Sequence, residues 1–320
     1  MNTETSEKFA VSNYHKARSL FGNLDKNLKI IEDDLDVKLV ARGEEIKIEG
    51  EEEKVELARR TLEEMTKLIE EGNDISERQV EYIIELLQNE ENMDFSNIFN
   101  QVIQVNHKGR EIKPQTVGQK IYLEAMKRSD IVFSIGPAGT GKTYLAVVMA
   151  VKSLLNHRVE RIVLTRPAIE AGEELGFLPG DMQDKVDPYL RPLYDSLFDV
   201  LGPEKVKEYL EKDIIEVAPL AYMRGRTLDD SFIILDEAQN TTTEQMKMML
   251  TRIGFNSRAV ITGDITQIDL PYKQNSGLTE VEKILKDIEG IDFIYLDETD
   301  VVRHNLVRKI IRAYEEIEDS

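Results

Sequence analysis

Cysteine is absent from this chain of 320 residues, and histidine is scarce, with four residues. Without cysteine there are no disulfide bridges, no thiolate metal ligands and no cysteine nucleophile, and a reducing compartment is mildly favoured. His15, His107, His157 and His304 are too dispersed in sequence to indicate a metal site. We therefore expect neither redox chemistry nor a histidine-based metal centre.

Long apolar runs are also missing. No run approaches the ~20 residues that span a bilayer, and the start of the chain, Met1-Asn2-Thr3-Glu4, lacks the basic and apolar regions of a signal peptide. Hydrophobic residues still make up 41% of the chain, enough for real cores, and the length allows about two domains. We expect a globular cytoplasmic protein with no membrane partner.

Positive charge is in deficit, because 41 lysines and arginines stand against 61 aspartates and glutamates, a net charge of −20. Such a balance argues against electrostatic binding of nucleic acid over a broad surface. It leaves room for a local one, so any nucleic-acid contact must come from a confined patch.

A glycine-rich octapeptide carries the main chemical signal. It reads Gly136-Pro137-Ala138-Gly139-Thr140-Gly141-Lys142-Thr143 and matches the P-loop pattern G-x-x-x-x-G-K-[ST]. The apolar run at 131–135 predicts a buried strand before it, and residues 144–155 predict a helix after it, which is the order that a phosphate cradle requires. The bland alternative is a glycine-rich turn beside a structural lysine.

The P-loop residues have distinct expected roles. Its glycines let successive backbone N–H groups converge on one anion, and the helix N-terminus adds partial positive charge. Lys142 is expected to reach the β- and γ-phosphates, and Thr143 to ligate Mg²⁺. The motif therefore predicts a nucleoside triphosphate site.

Two acids follow a second apolar strand, at 231–235, and complement the P-loop. Asp236 is expected to hold Mg²⁺ directly or through water, and Glu237 to orient and deprotonate the attacking water. Alone, a strand followed by two acids is usually a solvated turn. A P-loop some ninety residues earlier favours a Walker B element instead.

Three further polar residues are candidates with open alternatives. Gln267 follows the strand at 259–262 and would lie near the γ-phosphate or the attacking water, unless the segment is an ordinary Asx turn. Gln119 would hydrogen-bond adenine, or else be a plain polar residue at a helix start. Arg303 would stabilise the phosphoryl-transfer transition state, or else be a surface charge.

The chain is predicted to have three parts. Residues 1–75 suggest a small α+β module of order β-α-β-β-α, and 76–113 a helix and linker with a short hairpin at 102–112. Residues 114–320 alternate apolar strands with helices, which predicts an α/β layered sheet. Residues 166–192, rich in proline and glycine, are expected to form a structured excursion rather than a core strand or helix.

These residues together resemble the PhoH family of P-loop ATPases, which are similar to the RecA-like cores of superfamily 1 helicases. Beyond the P-loop, the matching stretches are residues 164–168, 173–181, 187–192, 222–227, 236–240 and 300–304. The resemblance covers nearly the whole chain. It implies a mainly parallel sheet, binding of ATP with Mg²⁺, hydrolysis, action on RNA and assembly into a homo-oligomer such as a ring.

The N-terminal module resembles a KH-like RNA-binding module. Its residues 22–25, Gly-Asn-Leu-Asp, stand where a GXXG phosphate clamp would be, but the second glycine is missing and Asp25 would repel phosphate. RNA binding and a role in assembly both remain open for this face. Arg166, Arg224 and Arg226 are the other candidate nucleic-acid contacts, with pairing to nearby carboxylates as the alternative.

The leading prediction is an RNA-dependent ATPase or helicase. Residues 114–320 are long enough for only one RecA-like domain, so Arg303 is expected to complete the site of a neighbouring subunit. Two alternatives stay open: a ribonuclease with an attached ATPase, and an ATP-switched adaptor that binds RNA or protein.

Overall fold

The computed structural model describes residues 4–88, 95, 99–167, 182–271, 274–302, 306–307 and 310. The chain divides into two compact units. The first unit is Met1–Gln101 with Lys113–Thr116, and the second is Val102–Ile112 with Val117–Ser320.

The expected boundaries at 1–75, 76–113 and 114–320 stay predictions.

The first unit is a small α+β region. Its elements are β1 (Glu4–Ala10), α1 (Tyr14–Phe21), α2 (Lys26–Leu35), β2 (Lys38–Arg42), β3 (Glu45–Glu51), α3 (Glu52–Glu70) and α4 (Glu77–Gln88). The strands form an antiparallel sheet of order β1-β3-β2. Val55, Ala58, Leu62 and Met65 of α3 are all buried, so one face of this helix packs into the core of the unit.

The predicted order β-α-β-β-α was wrong by one helix. Leu24 (φ 56°) and Asp25 (φ 58°) adopt left-handed conformations, which interrupt the helical run and separate α1 from α2. Leu24 is therefore 80% exposed in the turn. The residues compared with a GXXG clamp form this turn.

The second unit is built on a six-stranded sheet of order β11-β6-β10-β9-β7-β8. Its strands are β6 (Ile131–Ile135), β7 (Arg161–Arg166), β8 (Ile215–Pro219), β9 (Ser231–Leu235), β10 (Arg258–Gly263) and β11 (Ile291–Tyr295). All pairings within it are parallel. The predicted α/β fold with a mainly parallel sheet is confirmed.

Helices cover the sheet, and the predicted hairpin is present as β4 (Gln104–Val105) and β5 (Glu111–Ile112). The helices are α5 (Val117–Arg128), α6 (Lys142–Leu155), α7 (Met182–Leu201), α8 (Pro203–Glu211), α9 (Thr243–Leu250) and α10 (Gly277–Leu285). Alternate residues of β6 serve different faces, since Val132 joins one apolar cluster and Phe133 and Ile135 join the other. Burial on both faces explains why these strands read as continuous apolar runs.

The excursion expected at residues 166–192 was wrong for its last part, because 182–192 lie in α7. Residues 168–181 are outside the described residues. Pro188 and Pro192 lie within the helix. Helical spacing outweighs their cost, because Leu190, Leu193, Leu197 and Val200 are all buried in the core.

Among the helices that the structure describes, none combines the length and apolar character needed to cross a membrane.

The ring of Phe133 is fully buried and stacks on Phe293, with ring centroids 4.5 Å apart. We expect Phe133→Ala to lower the free energy of unfolding by about 3–5 kcal/mol, because it leaves a cavity in the apolar cluster on one face of the sheet. Phe255→Ala is the matched control, since that ring is 86% exposed and its loss should change stability by less than about 0.5 kcal/mol. Urea unfolding of both variants measures the difference, and equal effects would contradict this account of the core.

Candidate nucleotide-binding site

The P-loop connects β6 to α6 at the carboxyl edge of the sheet, where ligands bind in open α/β folds. Gly139 (φ 91°) and Gly141 (φ 80°) adopt conformations that other residues rarely reach. At Gly136 a Cβ atom would lie 2.2 Å from the carbonyl oxygen of Leu296. The glycine pattern is therefore required by the backbone path of the loop.

Lys142 lies within the loop, with 9% of its surface exposed. Its Nζ donates to the carbonyl oxygens of Gly136, at 2.5 Å, and of Pro137, at 2.7 Å. The ammonium group is thus surrounded by oxygen acceptors on the inner side of the cradle. A phosphate offers oxygen acceptors of the same kind, so the loop fits the group that its sequence predicts.

Asp236 follows β9 and is buried, with 5% of its surface exposed. Its Oδ1 accepts hydrogen bonds from the Thr143 hydroxyl at 2.6 Å and from the Thr262 hydroxyl at 2.8 Å. The structure therefore brings together the two residues predicted to hold Mg²⁺. A hydroxyl and a carboxylate are oxygen ligands of the type that Mg²⁺ prefers, so this pair fits the metal.

Glu237 lies directly after Asp236 in a left-handed conformation (φ 51°, ψ 42°). Its Oε1 is 3.2 Å from Nη2 of Arg166, and its Oε2 accepts a hydrogen bond of 2.6 Å from Nε2 of Gln239. One carboxylate oxygen thus faces a cation, and the other accepts a hydrogen bond. The residue predicted to activate water reaches the same site as Asp236, beside a cation that we had considered for nucleic acid.

Gln267 is joined to this group through Asp264 and Gln239. The side-chain Nε2 of Gln267 donates to Oδ2 of Asp264 at 2.9 Å, and the backbone carbonyl oxygen of Gln267 accepts a hydrogen bond from Nε2 of Gln239 at 3.2 Å. Gln239 in turn accepts from the Asp264 backbone N–H at 3.1 Å. Sequence reasoning did not assign a role to Gln239, although its position three residues after Asp236 marked it as part of the same segment.

Gln119 supports the loop from behind. It is 4% exposed, and its Nε2 donates to the carbonyl oxygen of Thr140 at 3.0 Å. A contact with adenine stays a prediction. Arg303 is outside the described residues, but Val302 just before it donates its N–H to the carbonyl oxygen of Gly139 at 2.9 Å.

A cavity of about 390 Å³ opens in front of the loop. It is lined by Ala138, Gly139, Gly141, Lys142, Thr143, Tyr144, Arg166, Pro192, Ser196, Asp236, Glu237, Gly263, Asp264 and Gln267. Most of the predicted catalytic and binding residues therefore share one cavity, which has the size of a small-molecule site.

One wall of this cavity was missed from sequence because it comes from α7, through Pro192 and Ser196. Tyr144 ties α6 to that helix, since its hydroxyl donates to Oδ2 of Asp199 at 2.8 Å. Burial and this hydrogen bond raise the pKa of Tyr144 above its ordinary value.

Comparison with known proteins agrees with this geometry. The family model described as "PhoH-like protein" matches residues 111–315. The chain belongs to the PhoH-like protein family.

Relatives of similar length support this assignment. A PhoH-like protein of Bacillus subtilis is 56% identical over 95% of this chain and 96% of its own length. A PhoH-like protein of Synechocystis is 45% identical over 99% of this chain and 97% of its own. Among solved structures, the Sulfolobus solfataricus SWI2/SNF2 ATPase core in complex with dsDNA is 12% identical, covers 63% of this chain and 46% of its own, and has a TM-score of 0.34, too low to carry an argument.

The three candidate nucleic-acid arginines of this PhoH-like protein differ in environment. Arg166 contacts Glu237, and Arg226 forms two hydrogen bonds with Glu216, at 2.6 and 2.7 Å, which raise the pKa of the guanidinium. Both Arg166 and Arg226 are therefore paired with carboxylates, which was the alternative to nucleic-acid contact. Arg224 is exposed.

Mg²⁺ is expected to increase the affinity for an ATP analogue, and we expect Thr143→Val to reduce that increase by about tenfold. Valine keeps the shape of threonine but has no oxygen for the metal or for Asp236. Affinity without Mg²⁺ should stay close to wild type. Thr227→Val, at an exposed threonine of the same unit, is the matched control. Titration of a fluorescent analogue with and without Mg²⁺ measures the effect, and an undiminished Mg²⁺ gain in Thr143→Val would exclude Thr143 as a ligand.

Proposed function

We propose that this PhoH-like chain is a Mg²⁺-dependent ATPase whose hydrolysis is stimulated by RNA, and that it acts as a helicase or related motor in RNA metabolism. One observation carries the ATPase part: Lys142, Thr143, Asp236 and Glu237 line the same cavity. That set contains a phosphate-binding lysine, a metal-binding pair and a base for water.

Each of these residues has a defined task in hydrolysis. Thr143 and Asp236 would hold Mg²⁺, which neutralises phosphate charge when bound. Lys142 and the loop N–H groups bind the β- and γ-phosphates. Glu237 orients a water whose oxygen bonds to the γ-phosphorus while the bond from that phosphorus to the β–γ bridging oxygen breaks. Glu237 accepts the water proton, and the products are ADP and inorganic phosphate.

The RNA part of the proposal rests on exposed groups suited to a single strand. Tyr222 is 55% exposed and lies two residues before the exposed Arg224, which together offer a base-stacking ring and a phosphate contact. The turn at residues 22–25 of the first unit is a second candidate contact. We place this activity in the cytoplasm, as the sequence leads us to expect.

We expect RNA to raise the ATPase rate of the wild type, and Glu237→Gln to lower it by about 10²–10⁴-fold while ATP still binds, because the amide cannot accept the proton. Lys142→Ala should weaken ATP binding itself. Glu244→Gln and Lys207→Ala change exposed residues of the same types and should leave the rate near wild type. ATPase rates with RNA, with single-stranded DNA and with neither, alongside duplex unwinding, measure these effects.

The alternatives give other outcomes in the same assays. If neither nucleic acid changes the wild-type rate, the RNA-dependent reading fails, and very slow turnover would then favour an ATP-switched adaptor. RNA cleavage that survives Lys142→Ala would favour a ribonuclease with an attached ATPase.

We further propose that the ATPase works as a homo-oligomer in which Arg303 completes the site of a neighbouring subunit. The second unit contains a single sheet of RecA-like size, which supplies only one side of a two-domain helicase site.

Mixing Arg303→Ala with Glu237→Gln subunits tests this arrangement. We expect the mixture to regain ATPase activity that neither variant has alone, because some interfaces then combine an intact arginine with an intact glutamate. Mixtures that stay as inactive as the separate variants would exclude a role for Arg303 in the neighbouring subunit. Size-exclusion chromatography checks that mixed assemblies form.

A further inference from the structure

Arg166 lies at the carboxyl end of β7, beside the two acids of the nucleotide site. Thr165 pairs with Leu235 across the sheet, and the backbone N–H of Asp236, just after β9, donates to the carbonyl oxygen of Thr165, so Asp236 lies beside the end of β7. Nη1 of Arg166 is 3.9 Å from Oδ2 of Asp236, and Nη2 is 3.2 Å from Oε1 of Glu237. Nη1 also donates to the carbonyl oxygen of Tyr189 in α7, at 3.2 Å.

This pairing is looser than that of a structural arginine in the same unit. Arg226 holds Glu216 with two parallel hydrogen bonds of 2.6 and 2.7 Å, whereas Arg166 spreads longer contacts over two carboxylates and one carbonyl. Bidentate pairs are the strong ones, so the contacts of Arg166 are the more easily exchanged.

The charges around the cavity indicate which anionic group could replace the carboxylates as the partner of Arg166. Among the described residues that line it, the cations are Lys142 and Arg166, and the carboxylates are Asp236, Glu237 and Asp264. Transfer of the γ-phosphate spreads negative charge over its oxygens, and catalysis rests on cations placed around them. The guanidinium fork suits phosphate oxygens, and Arg166 is already on the cavity wall.

We infer that Arg166 leaves Glu237 and binds the γ-phosphate when ATP enters the cavity. This inference rests on the proposed ATPase function and deepens it. ADP, which lacks that phosphate, leaves the arginine on Glu237. Arg166 therefore distinguishes the triphosphate from the diphosphate.

The same exchange frees the base. While Arg166 is in place, the Glu237 carboxylate is held by Arg166 on one oxygen and by Gln239 on the other. When Arg166 moves to the γ-phosphate, Oε1 becomes available to water, and Gln239 keeps the side chain oriented. Recognition of ATP and release of the base are thus one event.

Nucleotide binding without turnover and without RNA tests the inference. We expect Arg166→Gln to weaken a non-hydrolysable ATP analogue by about tenfold to a hundredfold and ADP by less than about threefold, the range for one charged hydrogen-bond partner. Arg166→Lys should give an intermediate loss, because it keeps the charge but not the fork. Arg158→Gln, at an exposed arginine, is the matched control and should change neither affinity.

A purely structural role for Arg166 would weaken ADP and the analogue equally, and that result overturns the inference, as does no change in either. ADP binding shows that the cavity has folded, and if Arg166→Gln fails to bind ADP then Arg166→Lys carries the comparison. The ratio of the two affinities is independent of RNA stimulation, so the inference and the RNA-dependent function can fail separately.

The reciprocal variant provides a second readout. Glu237→Gln removes the carboxylate that competes for Arg166, so the ATP analogue should bind more tightly while ADP is unchanged. In the double variant with Arg166→Gln this gain should disappear. A gain that persists without the arginine would contradict the exchange.

Discussion

The hydrogen-bonded carboxylate of Asp236 joins the parts of the nucleotide site. It accepts from Thr143 at the start of α6 and from Thr262 on β10, while its own backbone N–H bonds to the carbonyl oxygen of Thr165 on β7. A carboxylate that is 5% exposed is costly to bury unless such donors satisfy it. Satisfying them fixes the loop, the strand ends and the metal-binding pair in one arrangement.

Glu237 contrasts with its neighbour. Its left-handed backbone costs on the order of 1 kcal/mol or more in a non-glycine residue, and this conformation turns the chain sharply after Asp236. The side chain is about one-third exposed, forms an ion pair with Arg166 and accepts a hydrogen bond from Gln239. One acid is thus locked in place, while the other has partners that can change.

Much of the fold and the centre of the site could be predicted from local sequence. The strands of the parallel sheet were predictable because burial on both faces requires continuous apolar runs. The P-loop was predictable because positive φ angles and close backbone contacts require glycine at fixed positions. The proline-containing part of α7 was missed because proline is a local signal, whereas burial of Leu193 and Leu197 is a tertiary one. The partners of Arg166 could not be predicted, since Tyr189 and Glu237 are distant from it in sequence.

The strand order also governs how the protein acquires its site during folding. β10 lies between β6 and β9, so the strand before the P-loop and the strand before Asp236 do not touch each other and are both held by a later segment of the chain. Parallel pairing between distant segments forms slowly. On the ribosome, the loop and both acids emerge before residues 258–263, so the cradle assembles only when that strand inserts between them.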